Sequence, residues 1–93
     1  MAKVYGTVTV NAASSGVTIE VRRNGVKETN PIPMEFPPGS GKYMYNTPVN
    51  GGAGYTTWAQ CNDCDGENEE PDVGVTVGAT NVKIDVPVPC TCS

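Results

Sequence analysis

Small apolar residues recur at every second position over almost the whole chain: Val4, Gly6, Val8 and Val10; Val17, Ile19 and Val21; Val73, Val75 and Val77; Val82, Ile84, Val86 and Val88. Successive side chains of a strand project to opposite faces, so each run has one oily and one polar face. The polar partners fit: Thr7 and Thr9, Thr18, Glu20 and Arg22, Thr76, Lys83 and Asp85. Half-buried antiparallel strands packed as a sandwich account for this pattern better than any helix. The expected core is Val8, Val10, Val17, Ile19, Val21, Val75, Val77, Val82, Ile84 and Val86. The 93 residues make one domain, 1–93, large enough for a sandwich core but only modestly stable unaided.

Eleven glycines and eight prolines punctuate the strands. Strands are expected at 3–11, 17–23, 26–29, 42–47, 55–61, 72–77 and 82–88, about seven in all and spaced as in a sandwich. Ala13-Ser14-Ser15-Gly16 links the first two, and Asn24-Gly25 is a two-residue hairpin turn, because both residues tolerate positive φ. Between 30 and 41 four prolines each remove a backbone donor. That stretch reads as an irregular crossover, with Met34 and Phe36 expected to tuck onto the sandwich as a lid. Gly78-Ala79-Thr80-Asn81 is expected to close a final hairpin.

Charge and composition exclude several function classes. A net charge of −4 gives no concentrated basic surface, which argues against nucleic acid. Arg22 and Arg23 are the one adjacent basic pair and read as a solvated hairpin end. Histidine is absent, which removes the commonest general base and metal ligand and leaves no Ser–His or Cys–His nucleophile. The sequence has no apolar stretch long enough to span a bilayer and no charged-then-apolar leader, so a soluble chain without membrane insertion is expected.

Gly6-Thr7-Val8, Gly16-Val17-Thr18-Ile19-Glu20-Val21, Gly41-Lys42-Tyr43, Gly54-Tyr55-Thr56-Thr57-Trp58-Ala59 and the closing Val75-Thr76-Val77 and Val82-Lys83-Ile84-Asp85-Val86 follow one another in an order that resembles the carboxypeptidase regulatory-like domain family. The likeness runs from 3 to 88. It implies a transthyretin-like (prealbumin-like), Ig-like Greek-key sandwich of about seven antiparallel strands. It also implies a non-catalytic accessory or spacer module of secreted and surface proteins. The Pro-rich insertion at 30–40 and the cysteine-rich acidic loop depart from the family pattern. Hydrolytic relatives of transthyretin rely on histidines, so their activity does not carry over.

Cysteine comes as two close pairs, Cys61 with Cys64 and Cys90 with Cys92. Alternating strand directions bring both pairs to one pole, where disulfides, a zinc site or free or redox thiols are open. Four thiolates could close a zinc tetrahedron. That centre is doubly negative, however, and would sit beside Asp63, Asp65, Glu67, Glu69, Glu70 and Asp72. Neutral disulfides escape this repulsion, and a bridge between the pairs closes a ring of about thirty residues, worth about 3–4 kcal/mol. The expectation is cross-bridging without metal, either 61–90 with 64–92 or 61–92 with 64–90.

Two further features could bind ligands. Asp63, Asp65, Glu67 and Glu69 alternate around Gly66, and hard oxygen ligands so spaced suit Ca²⁺. Cys61 at the first position of an EF-hand-like alignment is the wrong ligand, and a solvated charged loop over 61–72, mobile or metal-dependent, is the plainer reading. Trp58 either fills the sandwich core, as is usual, or faces outward with Thr56 and Gln60, where it could stack on a sugar. The reading is therefore a non-catalytic structural or interaction module, extracellular or at the cell surface. It would bind a protein partner or self-associate as an assembling subunit. Calcium or carbohydrate binding is the alternative.

Overall fold

Alternation of buried and exposed side chains organises the whole chain in the computed structural model, which describes residues 2–11 and 16–91. The expected link at 13–15 and Cys92 lie outside these residues. Nine strands form two sheets, with no helix among the described residues. They are β1 (Lys3–Val10), β2 (Val17–Arg23), β3 (Val26–Thr29), β4 (Met34–Glu35), β5 (Lys42–Pro48), β6 (Gly52–Cys61), β7 (Glu67–Val77), β8 (Val82–Lys83) and β9 (Val86–Val88). The first sheet runs β4-β5-β1-β8, with β9 also on β1; the second runs β3-β2-β6-β7.

The apolar alternation places its residues as expected. Val4, Val8, Val21 and Val86 are fully buried, Ile19 and Val77 nearly so, and Val10, Val17 and Ile84 line the same core. Val75 and Val82 are half-buried against it, whereas Val73 is 81% exposed. Tyr43, Tyr45 and Tyr55 complete the core. Asn24 (φ 53°) and Gly25 (φ 81°) make the expected tight turn between β2 and β3.

Tyr45 ties the layers together. Its hydroxyl donates to the Ile84 carbonyl at 2.7 Å and lies 2.9 Å from the Thr57 hydroxyl, which has only its own proton left to share. The ring thus joins β5 of the first sheet to β6 of the second and to the segment between β8 and β9. Both side chains are buried with their polar atoms satisfied.

Four expectations about architecture need correction. There are nine strands rather than seven, because the Pro-rich segment contributes β4 and the last strand breaks at Ile84-Asp85. The sandwich is not purely antiparallel: β8 and β9 lie parallel to β1. The final hairpin does not form. Gly78–Asn81 instead carries the chain from the second sheet to the first, where Asn81 Oδ1 accepts from the Lys3 amide at 2.9 Å. The 61–72 loop is mostly strand: β7 starts at Glu67, and its Glu67, Asn68, Glu69 and Glu70 pair with β6.

Met34 and Phe36 form no lid, being 69% and 68% exposed. The inward position of β4 belongs to Glu35, which faces the buried Tyr43 and accepts from the Gly41 amide at 3.1 Å. Amides of Gly39 and Gly41 hold the Glu35 carboxyl below the usual carboxylate range. Alternation then sends Met34 and Phe36 outward.

Candidate functional site

The cysteine pole is built where β6 ends. The Cys61 amide donates to the Gly66 carbonyl at 3.0 Å, closing a tight loop over 62–65. Asp65 and Thr91 exchange backbone bonds, Asp65 N to Thr91 O at 3.1 Å and the reverse at 2.6 Å. Asn11 Oδ1 accepts from the Cys90 amide at 2.7 Å. Held in this way, Cys61 and Cys90, 29 positions apart in sequence, form a disulfide with Cα atoms 6.1 Å apart. It belongs to the uncrossed arrangement, whose second bridge involves Cys92, outside the described residues. Cys64 is disulfide-bonded as well, and among the described residues no cysteine is free. Sulfurs joined to each other are not thiolates, so Cys61 and Cys90, bridged as they are here, do not offer themselves as zinc ligands.

A polar cavity of about 480 Å³ lies over this pole, lined by Gln60, Asn62, Asp63, Asp65 and Thr91 beside the cysteines. The four candidate calcium ligands do not converge there. Asp65 is fixed by its backbone bridge to Thr91, while Glu67 and Glu69 lie along β7 opposite Gln60 and Trp58. Among the described residues no three His, Cys, Asp or Glu side chains gather in a way that could hold a metal ion.

Trp58 faces outward, not into the core. Cys61, Ala59, Thr57 and Tyr55 share the inward parity of β6, so Trp58 stands half-buried on the outer face of the second sheet with Thr56 and Gln60. The Arg22 guanidinium lies 4.7 Å from its ring centroid. Glu20 holds that guanidinium at 3.0 Å and Glu69 lies 3.7 Å away on the other side. Glu69 also accepts from the Thr56 hydroxyl at 2.6 Å. Arg22, read from sequence as solvated, is the hub of this network. The network already covers a face of the indole on which a sugar would stack.

The third feature was missed in the sequence. Met34 pairs directly with Met44 on the outer face of the first sheet, and Met44 pairs with Thr7 beside the outward Tyr5. Ile32 (83% exposed), Met34 and Phe36 follow at alternate positions along the sheet edge; Met44 and Tyr5 are 50% and 40% exposed. These five side chains leave on the order of 500 Å² of largely apolar surface bare, near the upper end for a monomer. A shallow hollow of about 520 Å³ opens in this face between Lys3 and Lys83, floored by Tyr5 and Met44.

Charge is segregated around it. Three of the six basic residues, Lys3, Lys42 and Lys83, are on the first sheet. Of the ten acidic residues only Glu35 and Asp85 accompany them, and the other eight lie on the second sheet or the loop between β6 and β7. No family model, no curated protein and no solved structure matches the chain.

Proposed function

We propose that the chain is a non-catalytic structural or interaction module of a secreted or cell-surface protein, working outside the cell. Its two sheets would then follow the Greek-key order of a transthyretin-like or immunoglobulin-like sandwich, in keeping with the likeness to carboxypeptidase regulatory-like domains. The observation that carries this reading is the apolar outer face of the first sheet. Large side chains 50–83% exposed at Ile32, Met34, Phe36 and Met44 do little for the chain's own core, and such a patch on a soluble domain marks a contact surface. The Cys61–Cys90 disulfide supports an oxidising setting. The ionisable groups that burial displaces, Tyr43 and Tyr45, are engaged in the packing and hydrogen bonds of the core.

The test is stability. The triple variant Met34→Ser, Phe36→Ser, Met44→Ser should melt less than about 10 °C below the parent, because surface changes typically cost under about 0.5 kcal/mol each, under about 1.5 kcal/mol together. A fall of ten degrees or more would make these side chains structural and remove the reading. A second reading, carbohydrate binding, draws on the outward Trp58. It requires Arg22 to leave the indole, so quenching of Trp58 fluorescence by a soluble oligosaccharide should grow in Arg22→Ala. No quenching in either protein ends it.

A further inference from the structure

We infer that the partner of the apolar face is a second copy of this chain, joined head to tail, with the Asp72-Val73 edge of one copy seated in the Lys3–Lys83 hollow of the next. This rests on reading the face as a contact surface and names what covers it. Three observations carry it. The hollow is apolar at its floor, through Tyr5 and Met44, and positive at its rim, through Lys3 and through Lys83, whose ammonium shares an exposed ion pair with Asp85 at 3.6 Å. Elsewhere on the same molecule, on β7 at the edge of the second sheet, Val73 stands 81% exposed next to the exposed Asp72, an apolar knob with a carboxylate beside it. The overall charge separation has the same sense: three lysines and two carboxylates go with the first sheet, whereas the second sheet and its β6–β7 loop carry eight carboxylates against Arg22, Arg23 and Lys27.

Complementarity of sign fixes the type of symmetry. Two copies meeting face to face through the hollow would bring Lys3 and Lys83 against the same two lysines. A two-fold contact through β7 would likewise oppose carboxylates to carboxylates. Only a heterologous contact, hollow of one copy on knob of the next, pairs unlike charges. Such a contact leaves a free hollow at one end and a free knob at the other, so it propagates into rings or filaments. The apolar surface on offer is at the small end for specific interfaces, so association is weak and concentration-dependent for the isolated chain. Backbone pairing adds little, because Pro71 interrupts β7 and Pro31 and Pro33 flank β4.

Sedimentation velocity over a concentration series reaching millimolar tests this, with two variants whose substituted side chains are exposed. Lys3→Glu with Met44→Glu closes the hollow; Asp72→Lys with Val73→Lys removes the knob. The parent should show an average mass that rises with concentration and falls back with added salt. Each variant alone should associate at least tenfold more weakly. An equimolar mixture of the two should form a dimer and nothing larger, since only one intact hollow can meet one intact knob. Thermal melts confirm that both are folded; should either fail, Met44→Ser and Val73→Ser serve in its place. A parent that stays monomeric throughout, association that neither variant weakens, or a mixture that stays monomeric overturns the inference. So does binding of a monomeric parent to phosphatidylserine vesicles that the hollow variant abolishes, which would assign the face to a lipid surface. A monomeric parent whose triple serine variant is fully stable refutes the second copy alone, whereas a destabilised triple variant refutes the contact surface itself.

Discussion

Gly6→Ala probes the joint on which the first sheet depends. Gly6 lies buried in the middle of β1, opposite Tyr45 of β5, and the Ile84-Asp85 segment between β8 and β9 passes directly over it. A methyl carbon there would fall onto the Ile84 carbonyl oxygen, 2.7 Å from the carbonyl carbon and 3.0 Å from Asp85 Oδ1. The carbonyl contact alone is about 1 Å inside van der Waals distance, and because it is backbone no rotamer change relieves it. The segment must lift, which strains three hydrogen bonds: Ile84 N to Tyr5 O at 2.8 Å, Tyr45 Oη to Ile84 O at 2.7 Å, and Thr7 N to Asp85 Oδ1 at 2.9 Å. Overpacking costs about 1–3 kcal/mol and each bond lost about 1 kcal/mol, for a total of about 3–5 kcal/mol. For a domain of this size that lowers the melting temperature by about 15–30 °C. Circular dichroism melts and urea titrations measure it, with Gly78→Ala as control, since an added methyl there meets nothing within 4 Å. A Gly6→Ala protein within about 1 kcal/mol of the parent, the spread of ordinary substitutions, would refute the packing of Ile84 on Gly6.

Two further outcomes follow from the core and the pole. Replacing all four cysteines by Ala frees the ring that the Cys61–Cys90 bridge closes over 29 positions and should cost about 3.5 kcal/mol in urea midpoint experiments, with under 1 kcal/mol contradicting the constraint. Burial pushes the Tyr45 hydroxyl from 10.0 up to about 12. The folded chain therefore holds that proton more tightly than the unfolded chain, and stability is full below pH 10 and lost as pH rises toward 12. Tyr45→Phe should flatten that alkaline slope, leaving the part due to Tyr43, while lowering stability at neutral pH by about 1–3 kcal/mol; a slope unchanged by the substitution would refute the assignment.

The period of two was enough to place most of the valine and isoleucine core, and Asn24-Gly25 was enough to place its turn. Partner choice was not legible, because alternation defines two faces of a strand but not its neighbours. Gly78–Asn81 has the length of a hairpin loop, yet it changes sheets, and β8 and β9 join β1 in parallel. The register of β6 did carry a signal. Cys61 must point inward to reach Cys90, and that parity puts Thr57 inside and Trp58 outside. The acidic run misled through its charge: Glu67 to Asp72 reads as solvated loop, but Arg22 and Thr56 hold Glu69, and the run forms an edge strand where carboxylates remain in water. Met34 and Phe36 misled in the opposite sense, because hydrophobicity alone does not distinguish a core residue from an exposed one.

The division of labour among these features locates where function can act. Stability comes from the inward faces, from Tyr45 with Thr57 and Ile84, and from a staple that restrains the unfolded chain. None of these uses the outer face of the first sheet. A marginally stable domain retains an exposed patch of Ile, Met, Phe and Tyr against the pull toward non-specific aggregation. Under the proposed head-to-tail contact, the lysines of the hollow would counter that pull by repelling a second copy presented face to face while attracting the acidic edge of β7. In that proposed contact, apolar side chains would supply the adhesion and the lysines its direction, so screening the charges should relax the order of assembly before it abolishes contact.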